Sequence, residues 1–131
     1  MILQVQGQGE LTSAAQEERA VVLFSDLVGF TALNEKVSPE TLINIMHHLW
    51  SCFDALVQKH GMHKIDTVGD AFIVIAIVGK DQVVEEVVEE MITLAKWMVV
   101  TLRDVSKAVG NALNIRIGID CGMAVTGILG R

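Results

Sequence analysis

Tyrosine is absent from the 131 residues, proline occurs once, and cysteine and tryptophan occur twice each. With 10 Lys and Arg against 16 Asp and Glu, there is no basic stripe with interleaved aromatics. Nucleic acid is therefore excluded as an expected partner. Cys52 and Cys121 lie far apart and match no metal spacing, which predicts reduced thiols rather than a disulfide scaffold. A lone Pro39, with no Gly/Ser-rich or repetitive stretch, excludes linkers, solenoids and collagen-like repeats. Long apolar runs are also missing. The longest, Ala71–Val78, falls far short of the ~20 residues needed to span a bilayer. Met1 to Ala20 lacks a basic segment followed by an apolar one, so no signal peptide is expected. These absences predict a cytoplasmic segment without membrane contact of its own, either free or as the cytosolic domain of a larger, membrane-anchored protein.

The composition that remains can build a core. Hydrophobic residues make up 51% and charged ones 20%, and 131 residues is the size of one domain. The net charge of −6 is local: Asp81, Glu85, Glu86, Glu89 and Glu90 fall in one ten-residue stretch without a base. Elsewhere eleven acids meet ten bases, so the acidity marks one solvated helix face.

Residues 1–19, interrupted by Gly7 and Gly9, predict an irregular lead-in to a domain over 20–131. Ala20–Phe24 is a continuous apolar run with a polar stop at Ser25-Asp26, which predicts a buried strand. Ser38-Pro39 starts a helix, with Leu42, Ile45, Met46, Leu49, Phe53 and Leu56 on one face. His60-Gly61 ends it. Strands near His63–Val68 and Ala71–Val78 are separated by Gly69-Asp70, the chemistry of a tight hairpin. A second helix is expected from Gln82 to Val109, closed by Gly110. Ile115, Ile117 and Ile119 then alternate with Arg116, Gly118 and Asp120, a half-buried strand, and a shorter strand over Ala124–Leu129 follows. The order β-α-β-β-α-β plus one additional strand predicts an α+β, ferredoxin-like fold.

In such a fold the first and third strands pair centrally. Asp26, at the end of the first, therefore meets Asp70 at the hairpin tip. Two neighbouring carboxylates repel unless a divalent cation lies between them. Oxygen-only ligation suits Mg²⁺ or Mn²⁺ rather than zinc, and two-metal phosphoryl-transfer sites are built in this way. The plainer alternative makes Asp70 a hairpin residue and Asp26 a strand end. Leu27-Val28-Gly29-Phe30-Thr31 favours the first reading, because successive amides at a helix start can hold phosphate oxygens. Metal pair and amides together describe a triphosphate site.

The stretch from Val22 to Thr31, Val-Leu-Phe-Ser-Asp-Leu-Val-Gly-Phe-Thr, resembles the opening of class III nucleotidyl cyclase catalytic domains. Ile65-Asp66-Thr67-Val68-Gly69-Asp70-Ala71-Phe72 resembles that family's second metal hairpin. Arg116 to Gly122, with Gly127-Ile128-Leu129-Gly130, resembles its later strand pair. The three motifs stand in order, from about residue 20 to the last residue. The resemblance is to the guanylyl cyclases in particular, and to a domain shortened at its C-terminus. The family continues past this point with a strand arm, a second base contact and a helix bearing Asn and Arg.

The resemblance implies cyclisation of a nucleoside triphosphate to the 3′,5′-cyclic monophosphate, with release of pyrophosphate, in intracellular signalling. Asp26 and Asp70 would ligate two Mg²⁺ or Mn²⁺ ions with the Leu27 carbonyl. Gly29, Phe30 and Thr31 would hold phosphates, and Arg116 would neutralise them as a third catalytic residue. The family works as a head-to-tail dimer, a homo- or heterodimer, with the site at the interface. Base choice falls to Asp66, four residues before Asp70: an acidic acceptor suits the guanine donors, where adenylyl cyclases carry Lys. GTP is thus the expected substrate, with ATP the alternative. The plainer alternative makes Asp66 an exposed strand residue paired with Lys64 or a neighbour. For these 131 residues alone, metal and triphosphate binding with negligible turnover is expected.

Three other readings remain open: an adenylyl cyclase with an atypical base pocket, a diguanylate-cyclase-type palm, or a nucleotide-binding or dimerising module without turnover. Phe72 and Asp120 stand where the family commonly has Tyr and His. His47, His48, His60 and His63 read as surface or turn residues, and Asp54 as a helix surface residue. The six Met, Trp50 and Trp97 read as packing.

Overall fold

The computed structural model of the chain describes residues 2–6, 16–68, 70–110 and 112–129, with side chains over 18–65, 70–110 and 112–123. The start of one of the two longer helices and the ends of both fall where local chemistry places them. Ser38 accepts a hydrogen bond from the Thr41 N–H (3.2 Å) on its hydroxyl oxygen, with Pro39 next, and α2 runs Pro39–Lys59. Its face of Leu42, Ile45, Leu49, Phe53 and Val57 is buried. The chain leaves through Gly61 at φ 66°, a left-handed conformation that glycine adopts without strain. A second long helix, α3 (Val84–Val109), buries Val87, Met91, Leu94, Met98, Leu102 and Val105. Glu85 and Glu86 lie in its first turn and Lys107 in its last, complementing the helix dipole. Trp97 is 49% exposed on the outer side of α3, so it is not the packing residue its spacing suggests.

Five strands form one sheet: β1 (Ile2–Gln6), β2 (Gln16–Val28), β3 (His63–Val68), β4 (Ala71–Ile77) and β5 (Asn114–Leu129). Their order is β1-β5-β2-β4-β3, with β2 antiparallel to both β4 and β5 and β1 parallel to β5. The four strands β5-β2-β4-β3 are the expected ferredoxin-like sheet, and β1 is added at the β5 edge. Both long helices pack on one face, where Val21, Leu23, Phe72, Val74 and Ala76 join the main core. On the other face Ala20, Val22 and Ile75 form a second, smaller buried cluster. There β1 comes within reach of β3 at the opposite edge, so the outer parts of β2 and β5 curl over the helix-free side.

Three expectations need correction. The first strand does not stop at Ser25-Asp26 but runs to Val28, because β2 is central and its backbone bonds to β4 and β5 on both sides. Residues 2–6 and 16–19 are strand rather than irregular lead-in, drawn into pairing by β5; residues 7–15 lie outside the described residues. Ala124–Leu129 is not a separate strand but the far half of β5, which continues through Gly122 without a turn. Among the described residues, no helix is long and apolar enough to cross a membrane.

Candidate active site

The pleat of β2 sorts its side chains. Leu23 and Leu27 enter the core, while Phe24 and Asp26 look out on the helix-free face. In register, Asp26 sits between Ala71 of β4 and Arg116 of β5. Asp70, at the hairpin tip, immediately precedes Ala71. A cleft of about 530 Å³ results, lined by Phe24, Ser25, Asp26, Asp70, Ala71, Arg116, Ile117 and Gly118. The two carboxylates and the guanidinium that sequence singles out, from segments far apart in the chain, thus share one cavity.

Arg116 Nη2 lies 3.5 Å from Asp26 Oδ2, with the side chains 75% and 48% exposed. So open a pair is weak and easily exchanged for other partners. Behind the cleft the packing is firm. The buried Ser25 hydroxyl donates to the Phe72 carbonyl (2.8 Å), tying the strand of Asp26 to the strand that follows Asp70. The Phe72 ring is fully buried, stacked on Trp50 (5.3 Å between centroids) and edge-on to Phe53 (5.4 Å).

After β2 the chain turns at Gly29, with φ 93°, into the short helix α1 (Phe30–Lys36). A Cβ at Gly29 would stand 3.2 Å from the Ala112 carbonyl oxygen, so both the backbone angle and the space favour glycine. No side chain caps α1, and Thr31 is exposed. Gly29, Phe30 and Thr31 adjoin the end of β2 but do not line the cleft itself. The Leu27 side chain is buried in the core and carries no ligand atom, so only its backbone carbonyl oxygen could ligate a cation.

Asp66 belongs to β3, in a stretch where pairing to β4 shifts between Ile65 and Val68. Its side chain, like all of Gly69, lies outside the described residues. Lys64, the partner considered for Asp66, instead pairs with Asp54 of α2, Nζ lying 3.0 Å from Oδ1 and 3.2 Å from Oδ2. Asp54 is therefore a half-buried ion-pair member, not a plain surface residue. His47 and His48 are exposed; His48 Nε2 approaches Cys52 Sγ at 3.9 Å, and His60 Nδ1 meets the Leu56 carbonyl at 2.9 Å, closing α2.

The donor set fits a divalent cation. Two carboxylates face one loosely held cation across the cleft, leaving an excess of negative oxygen. No group of three or more His, Cys, Asp or Glu gathers anywhere among the described residues. A full coordination shell would therefore draw on carbonyl, water and phosphate oxygens, the usual habit of Mg²⁺. Sequence reading passed over Phe24 and Gly118 as lining residues. The signal was there: each lies two residues from a site residue on the same strand face, and a Cβ at Gly118 would meet only open space.

A model of the adenylate and guanylate cyclase catalytic domain matches residues 12–131. The beta-2 subunit of soluble guanylate cyclase from Rattus norvegicus is 31% identical over 124 residues, covering 94% of this chain and 18% of that protein. The dimeric guanylyl cyclase domain of the RhoGC fusion protein from the aquatic fungus Blastocladiella emersonii superposes with a TM-score of 0.76 at 29% identity. That likeness covers 92% of this chain and 66% of the other. An adenylyl cyclase of P. aeruginosa superposes with a TM-score of 0.66 at 28% identity, over 84% of this chain and 59% of the other. The chain spans less than a fifth of the length of the soluble subunit it matches.

Proposed function

The chain belongs to the adenylate and guanylate cyclase catalytic domain family, and on that premise we propose that it carries the metal- and phosphate-binding part of a guanylyl cyclase. The reaction is closure of GTP to its 3′,5′-cyclic monophosphate at an interface between two such domains, in homo- or heterodimeric arrangement. One observation carries this reading: the pairing of Asp26 with Ala71, which sets Asp26 and Asp70 on one cleft. With a nucleoside triphosphate as substrate, the domain belongs in the cytosol.

In the reaction the ribose 3′-oxygen bonds to the α-phosphorus and loses its proton. The bond from that phosphorus to the bridging oxygen breaks, and pyrophosphate departs. Two Mg²⁺ or Mn²⁺ ions held by Asp26, Asp70 and the Leu27 carbonyl would supply Lewis acidity at the 3′-hydroxyl and the α-phosphate. Arg116, whose hold on Asp26 is loose, would exchange it for the oxygens of the departing pyrophosphate. The uncapped amides at Gly29, Phe30 and Thr31 can receive further phosphate oxygens. Asp66, as an acceptor, matches the guanine N1–H and 2-amino donors.

The test is turnover by the protein containing this chain, supplied with Mn²⁺ and GTP. Cyclic GMP is expected, and Asp70→Asn abolishes it; unchanged turnover in that variant removes the metal pair from the mechanism. Cyclic AMP from ATP in place of cyclic GMP would instead support the adenylyl reading.

A further inference from the structure

The link between α3 and β5 is short, and one side chain closes it. After Val109 the chain turns through Gly110, at φ 71°, and β5 begins at Asn114. Leu113 lies just outside the ladder, whose first pair here is Val28 with Asn114, yet it is buried in the main core. A buried backbone needs hydrogen-bond partners, and Leu113 finds them in a side chain. The hydroxyl of Ser106, near the end of α3, accepts from the Leu113 N–H at 3.1 Å and donates to the Leu113 carbonyl at 3.4 Å. One hydroxyl can do both, having one proton and two lone pairs.

From this clamp two lines reach the candidate site. The Ala112 carbonyl oxygen stands 3.2 Å from where a Cβ at Gly29 would be, so the same short segment backs the turn out of β2. Arg116 follows three residues after Leu113, opposite Asp26 and lining the cleft. Its side chain is 75% exposed and touches Asp26 only at 3.5 Å, so its backbone, more than packing, decides where the guanidinium can reach. Arg116 is also the third residue of β5, at the strand end, where a ladder opens most easily.

We propose that Ser106 is a positioning residue for Arg116: by tying the start of β5 to α3, it keeps the guanidinium at the cleft, where it can meet the oxygens of a triphosphate. This rests on the reading of Arg116 as the residue that neutralises phosphate. A hydroxyl that serves stability alone predicts a different pattern. Its loss would act in the same way whether or not an arginine stands at position 116.

The experiment is a double-mutant cycle between Ser106 and Arg116. GTP affinity is read by competition against a fluorescent triphosphate on the Mn²⁺-loaded protein, with melting temperature followed alongside. Ser106→Ala is expected to lower GTP affinity about fivefold, the scale of one hydrogen bond. In an Arg116→Gln background the same substitution is expected to change it by less than about twofold, the usual scatter of additivity. Ser106→Thr, which keeps the hydroxyl, is expected to keep the parent affinity. Ser38→Ala removes a hydroxyl of similar worth at the start of α2, and is expected to lower the melting temperature without changing GTP affinity. An unchanged affinity in Ser106→Ala overturns the proposal. So does a loss that persists in full without Arg116, or an equal loss in Ser38→Ala. Should Arg116→Gln alone leave GTP affinity unchanged, the phosphate role of Arg116 falls, and the inference with it. That outcome is read with Ser106 in place, so the two failures are distinguishable.

Discussion

Ser25 is the buried polar side chain among the described residues, and its hydroxyl spends its donor on a strand carbonyl rather than on the cleft. It joins Asp26's strand to Phe72, two positions past Asp70, so it bears on the separation of the two carboxylates. Ser25→Ala should cost about 1 kcal/mol, the usual net worth of one hydrogen bond, seen as a lower denaturant midpoint. Mn²⁺ affinity should fall with it, and a midpoint unchanged from the parent would show that the bond carries no net stability. Residue identities such as Asp26, Asp70 and Gly29 were legible in the sequence because each carries a chemistry of its own. The partner of Lys64 was not: alternation along one strand suggested Asp66, and only the packing of α2 against β3 brings Asp54 within 3.0 Å.

Elements were legible where their signals are local. The start of α2 is written in Ser38-Pro39, and the hydroxyl of Ser38 both accepts from the Thr41 N–H and donates to the Thr41 hydroxyl (2.8 Å). Ser38→Ala should destabilise the fold by about 1 kcal/mol, measured by denaturant unfolding, without altering the ratio of GTP to ATP binding. The ends of α2 and α3 at Gly61 and Gly110 follow from the same local logic, since both glycines take positive φ. Strand ends have no such markers. Ser25-Asp26 reads as a stop, yet a strand paired on both sides continues as long as its neighbours offer partners, so β2 reaches Val28 and β5 runs unbroken to Leu129. The strand at Ile2–Gln6 was missed for the same reason, its pairing lying with residues 125–129 at the far end of the chain.

At the scale of the molecule, the cleft exists because β2 lies between β4 and β5, so that residues 26, 70 and 116 converge. Arg116 there has two possible partners, Asp26 and an incoming phosphate, and this makes a prediction of opposite signs. Arg116→Gln should raise Mn²⁺ affinity in the absence of nucleotide by about two- to threefold, the scale of an exposed ion pair. It should weaken triphosphate binding in the same protein; titration of Mn²⁺ and then of GTP measures both, and a parallel change in the two would refute the exchange. The acidic run at 81–90, the largest local charge in the sequence, has no part in this chemistry: it falls on the loop before α3 and its first turns. By itself the sequence determined the order of the elements from β2 to β5, the start of α2, the ends of both long helices, the acids proposed for the metal pair and the family resemblance, because hydrophobic period, capping and short motifs are properties of neighbouring residues. The tertiary structure alone decided how far the strands extend, that Arg116 rests on Asp26, and that Asp54 holds Lys64. Those depend on hydrogen bonds and ion pairs between segments that only the folded sheet and its helices bring into contact.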